Sequence, residues 1–198
     1  MAELRFTILG CSSSPGVPRI GKDWGNCDPN NPKNRRRRAG LAIEQIGPEG
    51  TTTIVIDSGP DFREQMISAN ISSADGVLYT HPHADHIHGI DDLRSFAINR
   101  QERVEVWADE FTSERLHAAF GYCFETPPGS QYPPILKENR INAGTGFVID
   151  GQGGPIPVMP YEQIHGSISP LGFRIGTLAY CCDVSGFDER ALPHLNDL

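Results

Sequence analysis

"THPHADHIHG" spans residues 80–89 and places four of the chain's seven histidines, His81, His83, His86 and His88, inside eight positions. Histidine is not a default core residue, and a surface loop has no packing reason to repeat it at alternate positions. The spacing suits chelation. In an extended segment His81 and His83 point the same way and can hold one ion. Asp85 and His86 follow where the chain turns into a helix, so they diverge from the first pair and can serve a second ion. The bland alternative is a histidine-rich surface loop. Against it stands "DGVLYT" (75–80), a short apolar strand that runs straight into the motif and would hold the ligands rigid at a sheet edge. His88 lies one helical turn on, where a supporting or structural role suits it better than ligation.

Working outward, "LRFTILG" (4–10) and "TTTIVIDSG" (51–59) read as β-branched strands that close on glycine. Residues 11–38 between them are dense in glycine, proline and asparagine, a long loop of the kind that is usually functional or disordered. "SGPDFREQMISANI" (58–71) reads as a helix, its proline suited to the first turn. After the histidines, "DHIHGIDDLRSFAINRQ" (85–101) begins a helix, "RVEVWAD" (103–109) is a strand, and "TSERLHAAFGYCF" (112–124) is a helix. "GFVIDG" (146–151), "IPVMPYEQIHG" (156–166) and "LGFRIGTLAYCCDVS" (171–185) look like strands and hairpins, and "FDERALPHLNDL" (187–198) like a closing helix. This loose alternation predicts an α/β (α+β) fold, sheets covered by helices, in a single domain over residues 1–198.

The formal net charge of −8 argues against a general nucleic-acid coat, because the overall field repels phosphate. It leaves room for phosphate chemistry at a local cation site. "NRRRR" (34–38) is expected to be a solvated loop in which one or two of Arg35, Arg36, Arg37 and Arg38 pair with the acidic surface. An intermediate reading has some of them anchor a phosphate-bearing substrate. No apolar run approaches the ~18 residues of a membrane span, and the start lacks the pattern of a secretory signal. Five cysteines without scaffold spacing point to reduced thiols in a cytoplasmic protein. The neighbours Cys181 and Cys182 point to opposite faces of a strand, which disfavours a shared metal or redox role. "GYCFETPPGSQYPPIL" (121–136) reads as an ordered surface loop, with a substrate lid or a subunit contact as alternatives.

"THPHADHIHG" resembles the signature of the metallo-β-lactamase superfamily, and most closely its PhnP-type phosphodiesterases and their relatives in transfer-RNA 3′ processing. "ILGCSSSPGVP" (8–18), "IVIDSGPDFREQ" (54–65), "IHG" (164–166) and "LAYCCDVS" (178–185) extend the resemblance in order along the chain. It implies an αββα sandwich with two divalent ions, Zn2+ or Mn2+, at one edge. His81, His83 and His165 would hold the first ion, Asp85 and His86 the second, and Asp183 would bridge them. Asp57 would support the histidine loop by hydrogen bonds. Asp85 and Asp183 are the expected catalytic carboxylates, around a metal-bridging hydroxide that attacks a small or cyclic phosphodiester.

The family also supplies a late histidine to the second ion and further C-terminal strands. Here only His194 follows Asp183, in a helix-like stretch where it reads as a surface residue. The expected sandwich is therefore short of its last strands, and metal binding without catalysis is one alternative function. Hydrolysis of thioesters or lactams is another, since fold does not fix substrate. A transfer-RNA endonuclease is less favoured, for want of an inserted basic arm. Cys27 stands alone where some relatives cluster cysteines around a structural zinc, so no such site is expected. A homodimer is expected by analogy, with the early loop as its contact.

Overall fold

A computed structural model describes residues 3–198 as two sheets with helices against one of them. The first sheet runs in chain order through β1 (Glu3–Gly10), β2 (Gly40–Gly47), β3 (Gly50–Ile56), β4 (Gly76–Leu78), β5 (Val104–Ala108) and β6 (Leu136–Arg140). Its first three strands are antiparallel neighbours, whereas β3 to β6 are parallel. Parallel strands need crossovers, which are supplied by α1 (Phe62–Ala69), by α2 (Ala84–Ile87) with α3 (Arg94–Arg100), and by α4 (Glu110–Phe120). The second sheet is an antiparallel meander of β7 (Phe147–Ile149), β8 (Ile156–Glu162), β9 (Leu171–Ile175) and β10 (Leu178–Tyr180).

Alternation along the central strands divides the interior in two. Ala42, Val55 and Val77 face the helices, where they meet Phe62, Leu93 and Leu116. Ile43, Ile54, Ile56 and Leu78 point the other way, onto Ile156, Val158 and Phe173 of the second sheet. Each of these side chains is at most 3% exposed, and burial of one aliphatic side chain is worth about 1.5–3 kcal/mol. The layers are thus helix, sheet, sheet, with residues 188–197 lying against the outer face of the second sheet. There the His194 ring stacks on Tyr161 at 5.7 Å, and Arg174 donates to the carbonyls of His194, Asn196 and Asp197.

The structure differs from the sequence reading at four elements. β2 and β6 were not anticipated, because "GLAIEQIG" and "LKENR" are poor in β-branched residues and owe their strand state to their neighbours. The expected closing helix contains only a 3₁₀ turn at Leu192–Leu195, with Pro193 in its first turn. The expected helix over 85–101 is broken into α2, a 3₁₀ turn at Ile90–Leu93, and α3. Gly89 makes that break. A Cβ there would lie 2.1 Å from the Gly59 carbonyl oxygen, and a Cβ at Gly59 would lie 2.0 Å from the Asp85 carbonyl oxygen. Two main-chain segments are pressed together, tied by Gly89 N to Ser58 O at 2.7 Å and by Ser58 N to His86 O at 2.9 Å.

No described helix is long and apolar enough to cross a membrane. Gly59→Ala should force the α2 backbone away from α1. The expected loss is about 2 kcal/mol, read as a lower urea midpoint. A midpoint equal to that of the parent would show that the two segments do not interlock.

Candidate metal centre

Every strand that feeds the histidine motif ends at the same sheet edge. β3 ends at Ile56, and Asp57 then adopts a left-handed φ of 65°, a conformation that aspartate tolerates better than most residues. Its backbone N–H still donates to the Leu78 carbonyl at 2.8 Å, so the turn stays tied to β4. The carboxylate is 2% exposed and fully used. Oδ1 accepts from Thr80 N at 2.9 Å, and Oδ2 accepts from Thr80 Oγ1 at 2.9 Å and from His86 Nδ1 at 2.7 Å.

These bonds set the tautomers of the buried imidazoles. With its hydroxyl proton given to Asp57, Thr80 Oγ1 accepts from His81 Nδ1 at 3.0 Å, which leaves His81 Nε2 with a free lone pair. His81 Nε2 then lies 3.0 Å from His83 Nδ1 and 3.7 Å from Asp183 Oδ2. His86 donates Nδ1–H to Asp57, which turns Nε2 toward Asp85 Oδ2 and Asp183 Oδ2, each 3.5 Å away. His86 Nε2 is buried with no hydrogen-bond partner.

The remaining groups come from the second sheet. After β8 the chain turns at His165–Ile168, closed by reciprocal backbone bonds of 3.1 Å, with Gly166 at a left-handed φ of 58°. After β10, Asp183 takes a φ of 37°, and Ser185 N and Ile164 N bond across the two turns at 2.7 and 2.9 Å. This clamp sets His165 Nε2 at 3.8 Å from Asp183 Oδ2.

Two donor sets result. His81, His83, His165 and Asp183 converge on one point, and Asp85, His86 and Asp183 on a second, with ligand atoms within 4.8 Å of one another in each. Carboxylates and neutral imidazoles in such proximity repel one another unless a cation lies between them; without metal, the His86 imidazole is the one cation set between Asp85 and Asp183. The residues therefore fit a pair of divalent ions, and their nitrogen and oxygen donors suit borderline metals.

Electrostatics agrees. Burial, with the neighbouring His86, pushes the His81 imidazole down to about 4, so it is neutral and ligand-ready at pH 7. Burial also disfavours a charge on His86, but the carboxylates of Asp57, Asp183 and Asp85 outweigh it and hold that imidazole far above the usual histidine range. The His86 imidazole, 3.5 Å away, draws the Asp183 carboxyl down to about 2. Burial opposes ionisation of Asp85, and His86 again overcomes it and lowers its pKa.

The structure leaves His88 out of both donor sets, exposed, with its ring 5.6 Å from that of Phe120. His194 lies on Tyr161, outside them too. Sequence reasoning missed Thr80, the hydroxyl that links Asp57 to His81; only its place beside the motif could have flagged it. It also gave Cys182 little weight. The buried thiol lies within 4.8 Å of ring nitrogens of His81 and His86, and burial, with Asp57, pushes its pKa up to about 12. Its neighbour Cys181 faces away, onto Tyr161 Oη at 3.0 Å. A groove of about 840 Å³ between α3 and the proline-rich segment 127–135 is lined by no member of the donor sets.

Two measurements probe the centre. Asp57→Asn preserves size and the left-handed backbone but removes the charge. It should weaken zinc binding about 10- to 100-fold in competition with a chromophoric chelator; unchanged affinity would remove Asp57 from the design. His86 has a folded pKa above its unfolded value of about 6.5. Its ion cluster therefore stabilises the metal-free protein fully below about pH 6.5 and progressively less as pH rises toward the folded value. At pH 7 His86 is protonated without metal, so zinc should release about one proton. The readout is a calorimetric heat that varies with buffer ionisation enthalpy, and a heat independent of buffer would contradict the assignment.

Comparison with known proteins places this geometry. A family described as a β-lactamase superfamily domain matches residues 52–198. A crystal structure of a diphosphatase from the PhnP family is 31% identical, with a TM-score of 0.83 over 99% of this chain and 72% of that one. Zinc-bound PqqB from Methylobacterium extorquens shares the fold at 16% identity and a TM-score of 0.62, over 96% of this chain and 67% of that one. An octanoyltransferase from Porphyromonas gingivalis (strain ATCC BAA-308 / W83) is 34% identical over 183 residues, which are 91% of this chain but 35% of that protein. The chain thus spans about a third of that curated relative's length. With its family match across three quarters of its residues and its likeness to the diphosphatase, the chain belongs to the metallo-β-lactamase superfamily, in the branch of the PhnP proteins.

Proposed function

We propose that residues 1–198 act as one domain, a metal-dependent hydrolase whose substrate is a phosphodiester. The observation that carries this reading is the convergence of His81, His83, His165 and Asp183 on one point and of Asp85, His86 and Asp183 on a second beside it. His81, His83, His165 and Asp183 would hold one divalent ion, zinc or manganese, and Asp85, His86 and Asp183 the other. Three protein ligands are what catalytic sites commonly offer, since they leave a coordination position for water or substrate. When bound, the ions supply Lewis acidity, which lowers the pKa of water from ~15.7 toward ~7 and stabilises charge developing on phosphoryl oxygens.

The chain's own groups do the rest. Asp183, shared by both donor sets, accepts a hydrogen bond from the attacking water and aims its lone pair at phosphorus. Asp57 keeps His86 and Thr80 from turning, so the donors are in place before substrate arrives. The water oxygen bonds to phosphorus and loses a proton to solvent. The bond to one ester oxygen breaks, and that oxygen departs as an anion that takes up a proton from solvent, which leaves a phosphomonoester and an alcohol. No side chain of the donor sets is free to protonate the departing oxygen, so stable leaving anions should react fastest.

The similarity to a PhnP-family diphosphatase supports phosphorus over carbon as the centre attacked. The octanoyltransferase relative favours a second reading, attack on an acyl thioester. Protein stripped and reloaded with zinc or manganese should hydrolyse bis-p-nitrophenyl phosphate faster than a cyclic nucleotide. Asp183→Asn should reduce kcat at least 100-fold. Turnover of an octanoyl thioester with none of either diester would replace the first reading with the second.

A further inference from the structure

The loop between β1 and β2 has a charge opposite to that of the rest of the molecule. Residues 11–38 hold seven of the seventeen basic side chains and two of the twenty-five acidic ones, a net +5. The remaining ten basic and twenty-three acidic residues give −13. The sheet order places this loop. β1 ends at Gly10 and β2 begins at Gly40, paired to each other, and Leu41 pairs with Ile56 just before Asp57. The loop therefore leaves from the edge that carries the metal centre, on the β1–β2 side of it.

Part of the basic charge is structural. Arg38 is fixed on Asp61 by Nη1 to Oδ1 and backbone N to Oδ2, at 2.8 and 2.9 Å, and donates to Ser14 O. Arg37 is fixed on α1 through Ser68 Oγ at 2.8 Å. Asp61 is two residues from Gly59, which presses on the Asp85 backbone. The loop is thus anchored to the frame of the donor sets. The other part is free. Lys22, Lys33, Arg35 and Arg36 are exposed, and no carboxylate among the described residues lies within 4 Å of them. Arg35 lies 6.0 Å over the ring of Trp24, which is itself partly exposed.

Across the metal centre the charge reverses. Asp109, Glu110, Glu114 and Glu162 line a cleft of about 380 Å³ at the ends of β5 and β8. Leu171 in the same cleft bonds Thr80 O at 2.8 Å, which puts it at the same edge. A polyanion is drawn to one flank and repelled from the other.

We propose that the 11–38 loop is a binding subsite for single-stranded nucleic acid, with Arg35, Arg36 and Lys33 on consecutive phosphates and a base stacked at Trp24. Aromatic faces beside free cations are how sequence-tolerant single-strand sites are built. The acidic cleft limits the strand on the far side, so the phosphodiester at the metals is a terminal one. This inference rests on the phosphodiester reading and specifies its substrate: the end of a strand, where the sequence alone favoured a small or cyclic diester.

The test is fluorescence anisotropy of labelled hexanucleotides, one RNA and one DNA arm, with the metal-free chain of residues 1–198. Binding should weaken steeply with salt. Arg36→Glu and Arg35→Ala should each flatten the slope of log Kd against log [salt] by roughly 0.7, and Trp24→Ala should weaken binding about tenfold. Arg35→Lys should restore the slope. All three positions lie in the loop, and circular dichroism checks that each variant is folded. No binding of either hexanucleotide, or binding indifferent to Arg36→Glu, would overturn the subsite even if bis-p-nitrophenyl phosphate were hydrolysed. Salt-sensitive binding through these residues, without any diester turnover, would support the subsite and count against the phosphodiester reading alone.

Discussion

A single buried carboxylate organises the metal edge. Asp57 is almost without solvent contact and surrounded by three donors, so the desolvation of its carboxyl group is offset only while Thr80 and His86 stay in place. The dependence runs both ways. The histidine loop needs Asp57 to fix two tautomers, and Asp57 needs the loop to satisfy both its oxygens in the interior. The parallel strands β3 and β4 make this possible, because they deliver Asp57 and Thr80 side by side at their carboxyl ends, where open parallel sheets habitually place ligands.

The second sheet contributes through geometry more than energy. His165 and Asp183 sit on turns that follow β8 and β10, some twenty residues apart in sequence, and the backbone bonds between Ile164, Ser185 and Gly186 make the two turns one rigid piece. That piece meets the histidine loop across the inter-sheet core of Ile54, Leu78 and Phe173. Packing of ordinary aliphatic side chains therefore governs how far the two halves of the donor cluster stand apart.

The sequence was informative where chemistry and period coincide. The histidine spacing identified the principal cluster, and alternation of β-branched residues identified β1, β3 and β5. His165 and Asp183 were legible only through resemblance, because a lone histidine and a lone aspartate carry no spacing of their own. β2 and β6 were hidden for a different reason. Their residues have little intrinsic preference for an extended chain, and ladder bonds to β1, β3 and β5 decide their state. Thr80 was hidden because a hydroxyl that relays between two ionisable groups looks like any strand threonine. The arginine run divides in a way composition could not foresee: Arg37 and Arg38 are bound to α1 and its entry, while Arg35 and Arg36 face solvent.

The contact between Gly59 and Gly89 has an implication for how such a protein can change. The floor beneath the donors is made largely of peptide bonds touching peptide bonds, so its shape depends little on the identity of nearby side chains. Loops around the rim can be exchanged, lengthened or recharged while the floor keeps its contour, and new reactants can be tried against an unchanged set of ligands. The two positions without side chains are what free the residues of the rim to vary.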